Sequence, residues 1–426
     1  MRTRAWFLLA LTVIFPGSAQ IVGGNRRLGR FGIRVSLLNL ALLLLLLVVY
    51  LIDKNALVYL ATIPWLTTFF SWYLWLFAAV FALLLLDAIR LSQLGRVDSR
   101  PRWILLGTFL AVGGLLTSAI AYTGNISHAS AGAISSIFKR AGSTEPVDGR
   151  FNILVLGSDA GKDRFGVRPD SISVFSISQS TGKVAVIGIP RNLEKVPFRD
   201  GSPLWSVYPN GWNCAVTCLI NAIYKDTMDN HQKLYPNAYK DGSTPGIEAT
   251  KDAVEGVTGL KITSYVMIQM QAVTKLIDAL GGVTIDVKQR LPIGGQADNG
   301  SDAKGWIEPG VQKMNGYTAL WYARSRHTTT DFQRMARQKE LEAAILAQLS
   351  PATIFTHFEE LASVGKQLVV TDIPKDMIST YLGLATKAKK WGMKVLDIVP
   401  KNGFWPGNPH YPSIRAAVAK IIAQNK

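Results

Sequence analysis

The chain has 426 residues, room for a membrane region and one or two globular domains. A hydrophobic content of 48% and a mean hydropathy of +0.19 argue against a wholly soluble protein. The net charge of +17 names no partner by itself. Lys and Arg outnumber Asp and Glu by 14 to 5 through residue 150 and by 32 to 24 after it. The first surplus flanks apolar segments, as membrane topology requires; the second suits an anionic partner, or is only a basic surface.

Residues 1–20 begin Met1-Arg2-Thr3-Arg4 and run through a short apolar stretch, 5–15, to Pro16. This is like the h-region of a signal peptide and too short to span a bilayer. Together with Arg26, Arg27, Arg30 and Arg34 it reads as a cytoplasmic basic arm, residues 1–34, rather than a cleaved signal. Residues 35–52 are uncharged and long enough for a transmembrane helix. Residues 55–86 are uncharged and exceed one span, so a re-entry turn near Pro64 and a helix over 67–86 are expected. A basic loop with Arg90, Arg96, Arg100 and Arg102 follows, then a third span over 103–122, with Gly107, Gly113 and Gly114 allowing close helix contact. Residues 35–122 thus make a three-helix transmembrane anchor. The positive-inside rule puts both arginine clusters in the cytoplasm and everything after residue 122 outside. Residues 123–150, rich in Gly, Ala and Ser, read as an extracellular linker.

Residues 151–426 form the outer domain. Three β-type runs open it, at 151–156, 171–177 and 184–189, each bordered by polar residues. An irregular aromatic-rich section covers 200–239. Helices are expected at 245–258, 272–280, 315–323, 331–349 and 375–389, and strands at 265–269, 283–287 and 394–398, with a polar loop at 294–305. Strands interleaved with helices argue for an α/β domain, a layered mixed β-sheet flanked by helices. Cys214 and Cys218 lack a nearby His cluster, so a metal site is weak. A local disulfide stays open: an oxidising compartment would favour it, and a regular helix there would not.

There is no GxxxxGK[ST], GxSxG, HExxH or paired CxxC, so P-loop, nucleophilic-triad and zinc chemistry find no support. What remains is a set of aspartates and arginines. Asp159 and Asp170 could bind Mg²⁺, which takes a few hard oxygens plus phosphate and water. Arg168 and Arg191 lie in the same stretch, and Arg324 and Arg326 far along the chain. Arg334 and Gln338 share one face at the start of a helix that opens near Thr328–Asp331. Arginine forks match phosphate oxygens, and a helix N-terminus adds backbone donors. Taken singly, Asp159 is a turn former, Arg334 and Gln338 a solvated helix face, and Asn221 a turn residue.

The joint pattern resembles the LytR–CpsA–Psr family of cell-wall glycopolymer ligases, in its three-transmembrane-helix form. The matching pieces, in the family's order, are NILVLGSD (152–159), RPDSISVFSI (168–177), VIGIPRN (186–192), INAIY (220–224), LIDALGGVTIDV (276–287), MNGYTALWYARSR (314–326) and DFQRMARQ (331–338). The resemblance implies Mg²⁺ at Asp159 and Asp170. It implies lipid-pyrophosphate contacts from Arg168, Arg191, Arg324, Arg326, Arg334 and Gln338, with Asp159, Arg191, Arg324 and Arg326 as the catalytic set. It also implies an apolar cavity for a polyprenyl chain, for which Ile187, Ile189, Val266, Ile268, Leu276, Ile277, Leu280, Leu320, Trp321 and Ile345 are candidate lining. Asn192 stands where the family usually has Asp after the Pro-Arg pair. Pro169 stands where it often has Ser or Thr, which makes the loop stiffer.

The expected function is a Mg²⁺-dependent phosphotransferase in the cytoplasmic membrane with its C-terminal domain on the extracellular face. It would move a glycopolymer from a polyprenyl-pyrophosphate carrier onto a peptidoglycan sugar hydroxyl, with no nucleic-acid partner. The alternatives are a polyprenyl-pyrophosphate hydrolase, a binding-only receptor for anionic wall polymer, and a regulator that contacts nucleic acid. Predicted topology argues against the last.

Overall fold

Long uncharged runs can satisfy their backbone in lipid only as helices, and the computed structural model has three. The structure describes residues 2–52, 56, 57, 60, 63–97, 99–138, 142–158, 168–214, 218–295, 299–326, 328–348 and 369–425. The chain divides into two units, Met1–Gly132 and Ala133–Lys426.

In the first unit the helices are α1 (Arg2–Ile14), α2 (Ser18–Gly23), α3 (Arg26–Ile52), α4 (Pro64–Leu91) and α5 (Ser99–Ile137). Three of them, α3, α4 and α5, are long and apolar enough to cross a membrane. α3 starts at Arg26, earlier than expected, because arginines at a helix end carry their charge on long stems. The N-terminal stretch is not a free arm: Leu8 and Leu9 of α1 are buried with Leu85, Ala88 and Phe109. Pro64 opens α4, where its missing N–H costs nothing; part of the turn expected before it lies outside the described residues. α5 continues to Ile137, through half of the expected linker, since Ala and Ser sustain a helix that no Pro interrupts. Of the three glycines expected at a close contact, only Gly113 makes one: a Cβ there would fall 2.0 Å from Leu85 Cδ2, whereas Gly107 and Gly114 face open space. Those two are seven apart and share a face turned about 100° from that of Gly113. Side-chain bonds link the helices: Tyr73 donates to Asn39 Oδ1 at 2.9 Å, Trp75 to Asn125 Oδ1 at 3.0 Å.

The second unit is a mixed α/β domain. Its sheet uses β1 (Arg150–Ser158), β2 (Pro169–Ser178), β3 (Val184–Ile189) and β4 (Ser264–Gln269). Two two-stranded ribbons use β5 (Val283–Val287), β6 (Leu291–Ile293), β7 (Gly305–Ile307) and β8 (Gly310–Met314), paired β5–β8 and β6–β7. β9 (Val369–Thr371) and β10 (Met393–Asp397) complete the main sheet, whose order is β10-β3-β2-β1-β4-β9. β2 runs antiparallel to β1 and β3; β4 is parallel to β1 and β10 to β3. Every residue of β3 is buried, as an apolar strand covered on both faces must be. Within it Gly188 sits against β10, where a Cβ would meet the Asp397 carboxylate.

The helices here are α6 (Ile223–Asn230), α7 (Pro245–Thr258), α8 (Met270–Ala279), α9 (Gly316–Arg324), α10 (Asp331–Gln348), α11 (Ile378–Trp391) and α12 (Tyr411–Ala423). The aromatic-rich section is ordered by an ion-pair network on α7. Buried Asp252 accepts from Arg199 Nε, from Ser202 Oγ at 2.6 Å and from Tyr235 Oη at 2.7 Å. Cys214 and Cys218 are joined as a disulfide, with Cα atoms 5.2 Å apart. Neither cysteine lies in a helix, and residues 215–217 between them lie outside the described residues.

This topology decides where polar residues meet. β1, β3, β4 and β10 point the same way, so the ends of β1 and β3 and the start of β2 lie on one edge of the sheet. Open α/β sheets place their ligands at such edges.

Candidate active site

Arg191 follows β3 by two residues, and Asp170 is the second residue of β2, so antiparallel pairing brings them together. Arg191 Nη1 donates to Asp170 Oδ1 at 2.7 Å. The first turn of α10 closes on the pair. Its start is a capping box: Gln333 N–H donates to Thr330 Oγ1 at 3.2 Å and Thr330 N–H to Gln333 Oε1 at 2.9 Å. This presents Asp331 and, one turn on, Arg334. Arg334 is 4% exposed and donates to Asp331 at 3.0 and 3.2 Å, and to the Asp170 carbonyl at 3.4 Å from both Nη atoms. Asp331 also stands 3.7 Å from Arg191 Nε.

Two carboxylates are thus shared among arginines, and a further arginine adds to the charge. Burial, then the positive charges of Arg191 and Arg334, hold Arg326 below its ordinary pKa, with Asp331 and Asp170 opposing. Three guanidinium groups in mutual range against two carboxylates leave a positive surplus that an anion would relieve. Several buried oxygens nearby have no partner: Ser158 Oγ at the end of β1, Asn192 Oδ1, Asn221 Oδ1 and Ser325 Oγ. Asn221 is tied to the arginine loop, its N–H donating to the Arg191 carbonyl at 3.3 Å. Buried polar atoms without partners are uncommon in native folds and mark places where a ligand or water completes the bonding.

The other expected residues are placed as follows. Arg168 is exposed at the entry to β2. Arg324 ends α9 with its guanidinium 5.6 Å from the centre of the Trp321 ring. Gln338 is buried and donates to the Ala323 carbonyl at 3.3 Å, so in this geometry it holds the end of α9. Arg337 does the same more extensively, through Tyr322 O, Ser325 O and Thr329 Oγ1. Asp159 lies outside the described residues. Pro169 is buried and pairs with Ser158 beyond a register shift, at the start of a strand where proline is tolerated. Asp331 was not among the expected site residues; its signal was an acid in the first turn of the helix that carries Arg334. The candidate cavity lining is divided: Ile187 and Ile189 belong to the main core, while Ile277 belongs to a second core against which Trp321 and Ile345 pack.

Among the described residues no three His, Cys, Asp or Glu side chains form a metal cluster. The donors present are the Asp170 carboxylate and the unpartnered Ser158 hydroxyl, since both Asp331 oxygens are held by Arg334. These hard oxygens fit an ion such as Mg²⁺, which draws most of its ligands from phosphate and water.

The family model described as "LytR_cpsA_psr family" matches residues 121–425. The chain belongs to that family. Among LytR–CpsA–Psr relatives, "Biofilm regulatory protein A" of Streptococcus mutans is 24% identical over 61% of this chain and 60% of its own length. The polyisoprenyl-teichoic acid–peptidoglycan teichoic acid transferase TagU of Oceanobacillus iheyensis is 26% identical over 54% of this chain and 61% of its own. The match therefore spans about three fifths of each of these relatives. A crystal structure of Bacillus subtilis TagV is 21% identical over 66% of this chain and 98% of that one, with a TM-score of 0.44.

Proposed function

We propose that this protein is a membrane-anchored phosphotransferase that moves a glycopolymer from a polyprenyl-pyrophosphate carrier onto a sugar hydroxyl of peptidoglycan, on the outer face of the membrane. The observation that carries this reading is the cluster at the sheet edge, where Arg191, Arg326 and Arg334 exceed the charge of Asp170 and Asp331. Such a cluster complements a diphosphate. The names of the relatives support a wall polymer as cargo, and the three apolar helices support an anchor that keeps the site near a lipid donor. The Cys214–Cys218 disulfide supports an oxidising compartment.

In the reaction the acceptor hydroxyl oxygen attacks the phosphorus attached to the glycopolymer. The bond from that phosphorus to the bridging oxygen breaks, polyprenyl phosphate departs, and the hydroxyl proton is lost. Arg191 and Arg326 neutralise the charge that builds on the non-bridging and leaving oxygens. Arg334, fixed by Asp331 and the Asp170 carbonyl, keeps the site cationic at its base. Arg168 at the entry to β2 and Arg324 at the end of α9 take the outer phosphate oxygens. Mg²⁺, held by Asp170 with Asp159 as second carboxylate, would polarise the diphosphate when bound.

The test supplies the full-length protein in lipid nanodiscs with polyprenyl-pyrophosphate glycopolymer and uncross-linked peptidoglycan. Phosphodiester-linked glycan and free polyprenyl phosphate are expected, and Arg191→Ala is expected to abolish both. Glycopolymer released to water regardless of acceptor would make the protein a hydrolase, and binding without turnover a receptor.

A further inference from the structure

The loop between β10 and α12 holds one indole in water beside the arginine loop. Trp405 is 65% exposed, while its neighbours face inward: Pro406 is buried and Phe404 packs on the main core. The loop's shape is set by hydrogen bonds. Phe404 N–H donates to the Val399 carbonyl at 3.2 Å, Asn408 N–H to the Trp405 carbonyl at 3.1 Å, and Asn402 Nδ2 to the Asp397 carbonyl at 2.8 Å. Gly403 turns the chain in the left-handed region, at φ 84°. The indole is therefore displayed by a fixed backbone rather than left over from a loose one.

The loop is sewn to the segment that follows Arg191. Glu194 N–H donates to the Pro406 carbonyl at 2.9 Å, Tyr411 Oη to the Glu194 carbonyl at 2.6 Å, and Lys195 Nζ to Asn408 Oδ1 at 3.0 Å. A Cβ on Gly407 would lie 3.7 Å from Glu194 Oε1, so the carboxylate sits against the loop two residues from Trp405. Arg191, Asn192 and Glu194 follow one another closely in the chain, and the backbone bond from Glu194 to Pro406 fixes the loop that carries Trp405 to that segment.

We propose that this strip is the acceptor subsite, holding a glycan strand of peptidoglycan with a sugar ring on Trp405 and its hydroxyls on Glu194. A sugar ring presents an apolar C–H face and an equatorial rim of hydroxyl donors. A rigid flat aromatic covers the first at little entropic cost. Acceptor-only oxygens take the second, and a carboxylate makes the stronger bonds. A membrane contact fits less well: Trp405 is the only large exposed apolar side chain among the described residues of this loop, and a carboxylate beside it would be repelled by anionic lipid. The inference rests on the transferase reading, since it supplies that reaction's second substrate.

The experiment uses full-length protein in nanodiscs and soluble uncross-linked glycan strands as probe. It compares wild type with Trp405→Ala, Trp405→Tyr and Glu194→Gln, each a change at an accessible side chain. Glycan affinity is expected to fall at least about tenfold in Trp405→Ala and to be partly restored in Trp405→Tyr. The acceptor KM should rise in step, while binding of the lipid-pyrophosphate donor is unchanged. Unaltered glycan affinity in Trp405→Ala, or a loss of binding to glycan-free vesicles instead, would overturn the proposal. Donor binding is measured separately. Trp405-dependent glycan binding without any donor binding would support this subsite and reject the transferase reading; normal donor transfer with a Trp405-independent acceptor would do the reverse.

Discussion

Two arginine–carboxylate clusters in the α/β domain are built from the same residue types and differ in completeness. Around Asp252 every donor has its acceptor: Arg199, Ser202 and Tyr235 converge on one carboxylate, and the Trp205 indole donates to the Arg199 carbonyl at 2.9 Å. Neighbouring Glu255 accepts from the Ile262 N–H at 2.7 Å. Around Asp170 the arginines outnumber the carboxylates, and oxygens on Ser158, Asn192 and Asn221 are left without partners. The first cluster is a finished structural joint; the second is an incomplete one that a ligand would finish. A satisfied buried network raises stability, whereas an unsatisfied one lowers it.

That contrast can be broken by substitution. Asp252→Ala should cost about 2 kcal/mol of stability, since it strands the Ser202 and Tyr235 hydroxyls while the exposed Arg199 falls back on water; a chemical denaturation midpoint close to that of wild type would remove the distinction. Arg191→Ala should do the opposite, slowing transfer about a hundredfold or more while thermal stability stays close to wild type. Steady-state rates and melting curves on the same sample check both halves of that statement. Cys214→Ser should lower stability by about 2 kcal/mol through the lost ring closure. Reductant should bring the wild type to the same melting point and leave the variant alone.

The smallest effect concerns Asp397. Burial, opposed by Lys339, holds its carboxyl above the ordinary range, and Oδ1 has no partner. The folded state then binds its proton more tightly than the unfolded one, so stability falls as pH rises from about 4 toward the raised value. Asp397→Asn should therefore be more stable than wild type at neutral pH, and the advantage should vanish below about pH 4. Denaturation across pH tests the sign, and an advantage that persists in acid would contradict it.

Much of the α/β domain was legible because its signals are local. β3 at Val184–Ile189, α7 at Pro245–Thr258 and β5 at Val283–Val287 coincide with the expected ranges, each bounded by Gly, Pro or a capping Thr. Arg191, Asp170, Arg326 and Arg334 could be singled out by motif. Asp331 could not, because an acid in the first turn of a helix is ordinarily a dipole partner. Gln338 looked like a ligand contact, yet its amide holds the Ala323 carbonyl. Which of two inward-facing polar residues meets a ligand and which meets backbone depends on neighbours far away in the chain.

Sequence alone determined the class of the segments with strong local signals: uncharged runs long enough for lipid, β-branched runs too short for helices, and capping residues where helices begin. These follow from solvation and backbone sterics within a few residues. Tertiary structure decided the meetings: that the first turn of α10 closes on the Arg191–Asp170 pair, and that a loop at residue 405 is bonded to the backbone of Glu194. The order and direction of strands in the sheet set those contacts, because the direction of β2 between β1 and β3 is what brings their ends to one edge.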